Sequence, residues 1–138
     1  MSAIFSAAER DYLERARLAR LATTDGTGRS RVVPVEWRYN DVLDVIDVTG
    51  RDFAGTPEFE SVRHDPEVVV VIDDLPESHP QRAVVVRGTA EALDHLPTQY
   101  VASGALIRVR PQAVVSWGLG PVADDGSTKW PRVGGGAM

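Results

Sequence analysis

The stretch TGRD, residues 49–52, closes an apolar run and leads into GTPEFESVRHDPEVVVVIDD, residues 55–74. A strand end feeding a helix N-terminus leaves unpaired N–H groups facing outward, where the helix dipole favours an anion. Arg51 would add a full positive charge to such a site; the plainer alternative is a turn carrying a surface arginine. The residues that follow oppose an anion. Glu58, Glu60, Asp65 and Glu67 precede the next strand, with Arg63 as the one full positive charge among them. A carboxylate in the first helical turn gains about 0.3–1 kcal/mol from the dipole, which explains why acid is tolerated at Glu58. That same acid occupies the helix end an anion would need.

Other chemistry is thinner. His64, His79 and His95 fall at separate loops or element ends, no pair has the i, i+4 spacing of a helical metal site, and there is no cysteine. No metal is expected. Ser103, in ASGAL, has no nucleophile-elbow pattern around it. GLGPVA, residues 118–123, matches a G-x-G-x-x-A dinucleotide pattern, but Pro121 and the remaining length leave no room for the helix and parallel strand it requires. Trp37 and Trp117 sit in strand-like runs as core or pocket wall. Trp130, beside Lys129 and Pro131, reads either as part of a flap that folds back or packs on a second chain, or as part of a simply disordered tail.

Those residues must be positioned by a chain of 138 residues with net charge −5. That length suits one domain that buries about two thirds of its unfolded surface. The negative balance argues against nucleic acid or an anionic membrane as partner. No apolar run approaches the roughly 20 residues that span a bilayer, and the N-terminus lacks a signal-peptide pattern, so a cytoplasmic protein is expected. Lys129 is the one lysine among many arginines, which points to a GC-rich genome rather than to function.

SAAERDYLERARLAR opens with a capping box, Ser6 and Glu9, and continues with Leu13, Ala16 and the Ala8/Tyr12 pair at helical spacing. Residues 20–39 read as strand, turn and strand around Asp25-Gly26, with Pro34 marking an edge or bulge. DVLDVIDV, residues 41–48, reads as a third strand. Thr56 caps a short helix with Pro57 at its first position. VVVVI, residues 68–72, is apolar on both faces and therefore central. Residues 82–93 form another strand, broken near Gly88, and residues 105–118 one or two more, with Pro111 at a bend. The result is six or seven strands and two short helices, spaced for a small antiparallel barrel. Residues 1–118 form the barrel domain and 119–138 a Gly/Pro-rich tail.

In this order RLARLATTDGTGRSRVVPVEWRYN, IDVTGRD, DPEVVVVIDD, VVVRGTAEAL and IRVRPQAVVSWG resemble the split-barrel flavin-binding family of pyridoxamine phosphate oxidase-like proteins. They are most similar to its actinobacterial branch of probable coenzyme F-420-dependent oxidoreductases. The resemblance implies an FMN-binding type of split barrel, a homodimer with the cofactor groove at the subunit interface, and hydride transfer by the cofactor rather than by a side chain. The family pattern after GRD is basic and cradles the cofactor phosphate, whereas here Pro57, Glu58, Phe59 and Glu60, then Asp65, Pro66 and Glu67, stand in its place. A like-charge contact at about 4 Å costs roughly 4 kcal/mol near a protein surface before salt screening. Arg51, Arg82 or the tail's Lys129 and Arg132 would have to compensate.

Two functions follow. In the first, the groove is kept, no flavin or deazaflavin is tightly bound, and the protein acts without redox chemistry on an uncharged or cationic organic molecule. In the second, it is a coenzyme F-420- or FMN-dependent oxidoreductase whose phosphate is held elsewhere. The expected groove walls are Val35, Trp37, Thr49, Gly50, Arg51, Arg82 and Trp117, a flat apolar surface suited to a planar, polyketide-like ligand. Glu58 at the rim is the candidate catalytic acid or base.

Overall fold

The computed structural model describes residues 4–119 and the backbone of 132–133. Two helices, α1 (Ala7–Arg15) and α2 (Pro57–His64), accompany seven strands: β1 (Ala19–Thr24), β2 (Ser30–Asn40), β3 (Val45–Thr49), β4 (Glu67–Asp74), β5 (Arg82–Leu93), β6 (Leu106–Trp117) and β7 (Arg132–Val133). The sheet runs β3-β2-β1-β4-β5-β6-β7, and β3 also pairs with β6. That second pairing closes six antiparallel strands into a barrel, with β7 added outside β6. The proposed flap role of Trp130 and Lys129, and most of the GLGPVA segment, lie outside the described residues.

Alternation fills the barrel. Leu21, Val70, Val86 and Val114 are each fully buried and lie opposite one another across β1, β4, β5 and β6. β4 sits between β1 and β5, as its apolar run requires. Gly88 lies at the register shift of β5 against β6, where a Cβ would approach the Arg110 carbonyl oxygen to 2.4 Å. β6 continues through Pro111 as one strand rather than two.

Local details depart from the sequence expectation in three places. The β1–β2 turn is shaped by Asp25 and Gly28 rather than by Asp25-Gly26 alone. The Asp25 carboxylate accepts from the Thr27 and Arg29 amides at 2.8 and 3.0 Å, and Gly28 takes the positive φ of 86°. The third strand begins at Val45, not at Asp41. Asn40 Oδ1 accepts from the Val42 and Leu43 amides, holding those residues in an exposed turn that ends with Asp44 at φ 60°. The capping box forms as expected, but the inward face of α1 is Glu9, Tyr12 and Leu13, with Ala8 exposed. Glu9 is buried because its carboxylate accepts from both the Ser6 amide and the Ser116 hydroxyl.

β2 has β1 beside it along Ser30–Val35 but gains β3 only from Glu36 onward. Pro34 therefore stands where one side of β2 is open among the described strands.

Candidate functional site

Strand β3 ends at Thr49, and the chain turns through Gly50, Arg51 and Asp52 into a short 3-10 turn, Phe53–Gly55. Gly50 is required here, because a Cβ would come within 2.9 Å of the Phe53 ring. Asp52 takes a left-handed conformation, φ 49°. Thr56 then caps α2, its hydroxyl accepting from the Phe59 amide at 3.3 Å, with Pro57 in the first turn. Phe59 and Phe53 pack edge-to-face beneath this corner. The apolar residues of α2 thus anchor it inward and leave Glu58 half-buried at the surface.

Two adjoining hollows meet at this corner. The shallower holds Val35, Thr49, Gly50, Arg51 and Glu58 together. The larger, about 610 Å³, runs from Thr49 and Arg51 past Trp37 to a wall made by Tyr100–Ser103. Six of the eight expected site residues therefore gather on one surface: Val35, Trp37, Thr49, Gly50, Arg51 and Glu58. The Trp37 indole is fixed by donating its N–H to the Arg17 carbonyl at 3.2 Å.

Arg82 and Trp117 are elsewhere within the chain. Arg82 lines a separate hollow of about 270 Å³ with Tyr12, Leu18 and Asp74. Its guanidinium grips Asp74 through Nε at 3.0 Å and Nη2 at 2.5 Å and lies over the Tyr12 ring. The hydrogen bonds from Arg82 hold the Asp74 carboxyl below its ordinary range, while burial pushes the Tyr12 hydroxyl upward, helped by its bond to Asp74. Trp117 ends β6 opposite Ala83, the neighbour of Arg82. The arginine is committed to a carboxylate, so it offers no free charge to the first surface.

The far wall of the large groove is absent from the sequence reading. Arg38 lies under Tyr100, its guanidinium 4.8 Å from the ring centre, and donates to the Tyr100 carbonyl at 3.4 Å. The Tyr100 hydroxyl accepts from Arg108 at 2.7 Å, and Arg108 forks onto the buried Asp47 at 2.9 and 3.1 Å. This pairing with Asp47 raises the Arg108 guanidinium further above its ordinary value. The available signal was a lone acid inside the apolar run VIDVT, matched by the arginines of IRVRP.

No family model matches the chain. Among solved structures, an F-420 reductase superposes with TM-score 0.61 at 22% identity, covering 76% of this chain and 94% of its own. The FAD-binding protein from Mycobacterium smegmatis gives TM-score 0.61 at 21% identity, covering 83% and 96%. These likenesses carry the fold. A 5a,11a-dehydrotetracycline/5a,11a-dehydrooxytetracycline reductase of Streptomyces rimosus is 34% identical over 122 residues, covering 83% of this chain and 84% of its own. The chain belongs to the flavin/deazaflavin split-barrel family. A conserved hypothetical protein from Mycobacterium tuberculosis shares this split-barrel fold at TM-score 0.67 and 20% identity, covering 92% of this chain and 97% of its own. Among the described residues, no group of His, Cys, Asp and Glu is arranged to hold a metal, and no helix is long and apolar enough to cross a membrane.

Proposed function

We propose that this chain is a reductase of the split-barrel family acting on a flat, polycyclic, polyketide-like molecule. On this reading a flavin or deazaflavin meets it as an exchanging co-substrate and is not tightly held. The observation that carries the activity is the 34% identity, over most of both chains, to a reductase named for two four-ring substrates. The groove agrees in size: about 610 Å³, with Trp37, Gly50 and Val101 beside the charged Glu36, Arg38, Arg51 and Asp52, it has room for a planar ring system that carries polar groups.

The weak hold on the cofactor rests on charge. At the corner where a helix N-terminus faces the hollow, Arg51 shares the space with Glu36 and Glu58. One guanidinium against two carboxylates does not fit a phosphate dianion, so no residue here is assigned to grip one. When present, the co-substrate would supply the hydride; this chain's part is to bind and orient the substrate against the Trp37 wall and to exclude water.

The sheet's outer face supports a homodimer. Val32, Ala22 and Val69 line up across β2, β1 and β4, and Val71 lies beside Val85 in the next row. Val32 is 61% exposed, and these apolar residues, with Arg20 and Arg87 among them in the same rows, make a face of the kind that a second copy covers. A dimer would also let the Arg82–Trp117 end of one copy approach the groove of the other.

A second reading, non-redox conversion of the same ligand class, is favoured by the acid at the cofactor corner. One experiment separates the two. Reduced F-420 or reduced FMN is mixed with the protein and a dehydro four-ring polyketide, and both absorbance and product are followed. The reductase reading expects one reduced cofactor consumed per substrate, and a colourless protein as purified. Product formation without cofactor oxidation leaves the non-redox reading standing. A flavin that co-purifies at full occupancy overturns the exchanging role.

A further inference from the structure

We propose that Arg38 is a specificity-determining residue whose guanidinium, stacked on Tyr100, receives an anionic oxygen group of the ligand, either a carboxylate or an ionised enol. This rests on the groove being the ligand site, as argued above, and names which chemistry its far wall reads.

Other polar groups along and behind that wall are already committed. Arg108 is neutralised, because it forks onto Asp47, whose second oxygen also accepts from Asn40 Nδ2 at 3.1 Å. Asp47 is the cross-strand neighbour of Arg38, so the acid best placed to pair with Arg38 is taken. Among the described residues Arg38 forms no ion pair with a carboxylate. Ser103 is occupied by its own loop: its hydroxyl donates to the Ala105 carbonyl at 3.1 Å and accepts from the Ala105 amide at 3.3 Å.

What remains is an exposed guanidinium that Tyr100 holds by its ring and its carbonyl. The Tyr100 ring supports its face, the Tyr100 carbonyl accepts one N–H, and Tyr100 is itself fixed from behind by Arg108. Stacked arginine is weakly hydrated and keeps a planar fork of donors, which suits bidentate binding of two oxygens. Side-chain entropy that a free surface arginine would lose on binding is already lost here. Glu36 and Asp52 also line this groove, so it is not a general anion trap; selection depends on where the oxygen group lies along the ring system. A flat ligand against Trp37 with its acidic group toward Tyr100 meets Arg38, while the reversed orientation directs that group toward Glu58.

The test uses two probes of one shape, anthracene carboxylate and anthracene carboxamide, titrated calorimetrically into the full chain. The wild type is expected to bind the carboxylate about tenfold more tightly, in keeping with a charge-assisted, bidentate contact. Arg38→Gln should abolish that preference while leaving the carboxamide affinity and the melting temperature unchanged. Arg38→Lys, which keeps the charge but loses the fork and the stack, should retain only part of it. Equal affinities in the wild type, or a preference that survives Arg38→Gln, overturn the role of Arg38 and leave the groove reading intact. Failure of both probes to bind removes the groove reading and this inference with it. A lower melting temperature in Arg38→Gln with the preference intact would make Arg38 a packing residue.

Discussion

Asp47 and Arg108 face each other across β3 and β6 as a forked ion pair, with the carboxylate fully buried and the guanidinium 13% exposed. The pair stitches the barrel at its closing seam, the β3–β6 ladder, which has only three registered residue pairs, Ile46↔Val109, Asp47↔Arg108 and Val48↔Ile107. Removing one partner strands a buried charge. Arg108→Leu should therefore cost about 3–5 kcal/mol, whereas Asp47→Leu combined with Arg108→Leu should recover most of it. Urea unfolding of the three proteins measures this; a loss below about 1 kcal/mol in Arg108→Leu would place the pair with ordinary surface bridges.

The acids of α2 make opposite predictions for two kinds of ligand. Glu58 is half-buried in the hollow, while Glu60 is exposed and pairs with His64 at 3.2 Å. Replacing Glu58→Lys together with Glu60→Arg should strengthen FMN binding by about tenfold or more, since a like-charge contact becomes an attraction. Glu58→Gln should cut turnover by about tenfold with little change in melting temperature if the carboxylate acts on the substrate. Unchanged turnover with a slightly lower melting temperature would confine Glu58 to favouring its own helix dipole.

Much of this molecule was readable because local and global signals agreed. The capping box at Ser6 and Glu9, Thr56-Pro57 at the start of α2, and the run at 68–72 each have one structural solution, and the barrel contains all three. Val42 and Leu43 continue the apolar pattern of the third strand and so extend it in the sequence, yet the Asn40 side chain satisfies their amides and holds the chain in a turn. At the site, the residues near TGRD were legible because they are close in sequence. Arg38, Tyr100 and Arg108 were not, because their contacts span up to 62 residues and depend on barrel closure. Periodicity places Arg38 and Arg108 on strands but cannot tell which arginine is neutralised and which is left open.

The apolar outer face predicts oligomeric state. Val71 is half-buried in the chain and lies opposite Val85 and Arg20. Val71→Asp should convert a dimer to a folded monomer, read by light scattering alongside circular dichroism. A wild-type chain that is monomeric at micromolar concentration removes the dimer, and with it any meeting of the groove and the Arg82–Trp117 end.

Acid sensitivity should trace to Asp74. Its hydrogen bonds from Arg82 hold the folded-state carboxyl below the ordinary value of 3.8, with Tyr12 adding to the effect and burial opposing it. A depressed carboxyl contributes stability that is complete above the unfolded value and is lost as pH falls through the folded one. Asp74→Asn should be less stable than the wild type at neutral pH, with the difference closing once the pH drops below 3.8. Thermal melts from pH 7 downward test this; a difference that persists unchanged into strong acid would mean that the loss is steric.

The side of β2 left open among the described strands has a meaning for the life of the protein in a crowded solution. A half-paired strand presents free amides and carbonyls to any extended chain that drifts past, and this is how sheets recruit one another into insoluble assemblies. Along Ser30–Val35 that invitation is withdrawn by residues already in place. Pro34 has no amide hydrogen to offer, and Arg29 and Arg31 set two like charges at the start of the strand. The gap before β3 can thus stay open, leaving room beside the groove, without becoming a template for aggregation.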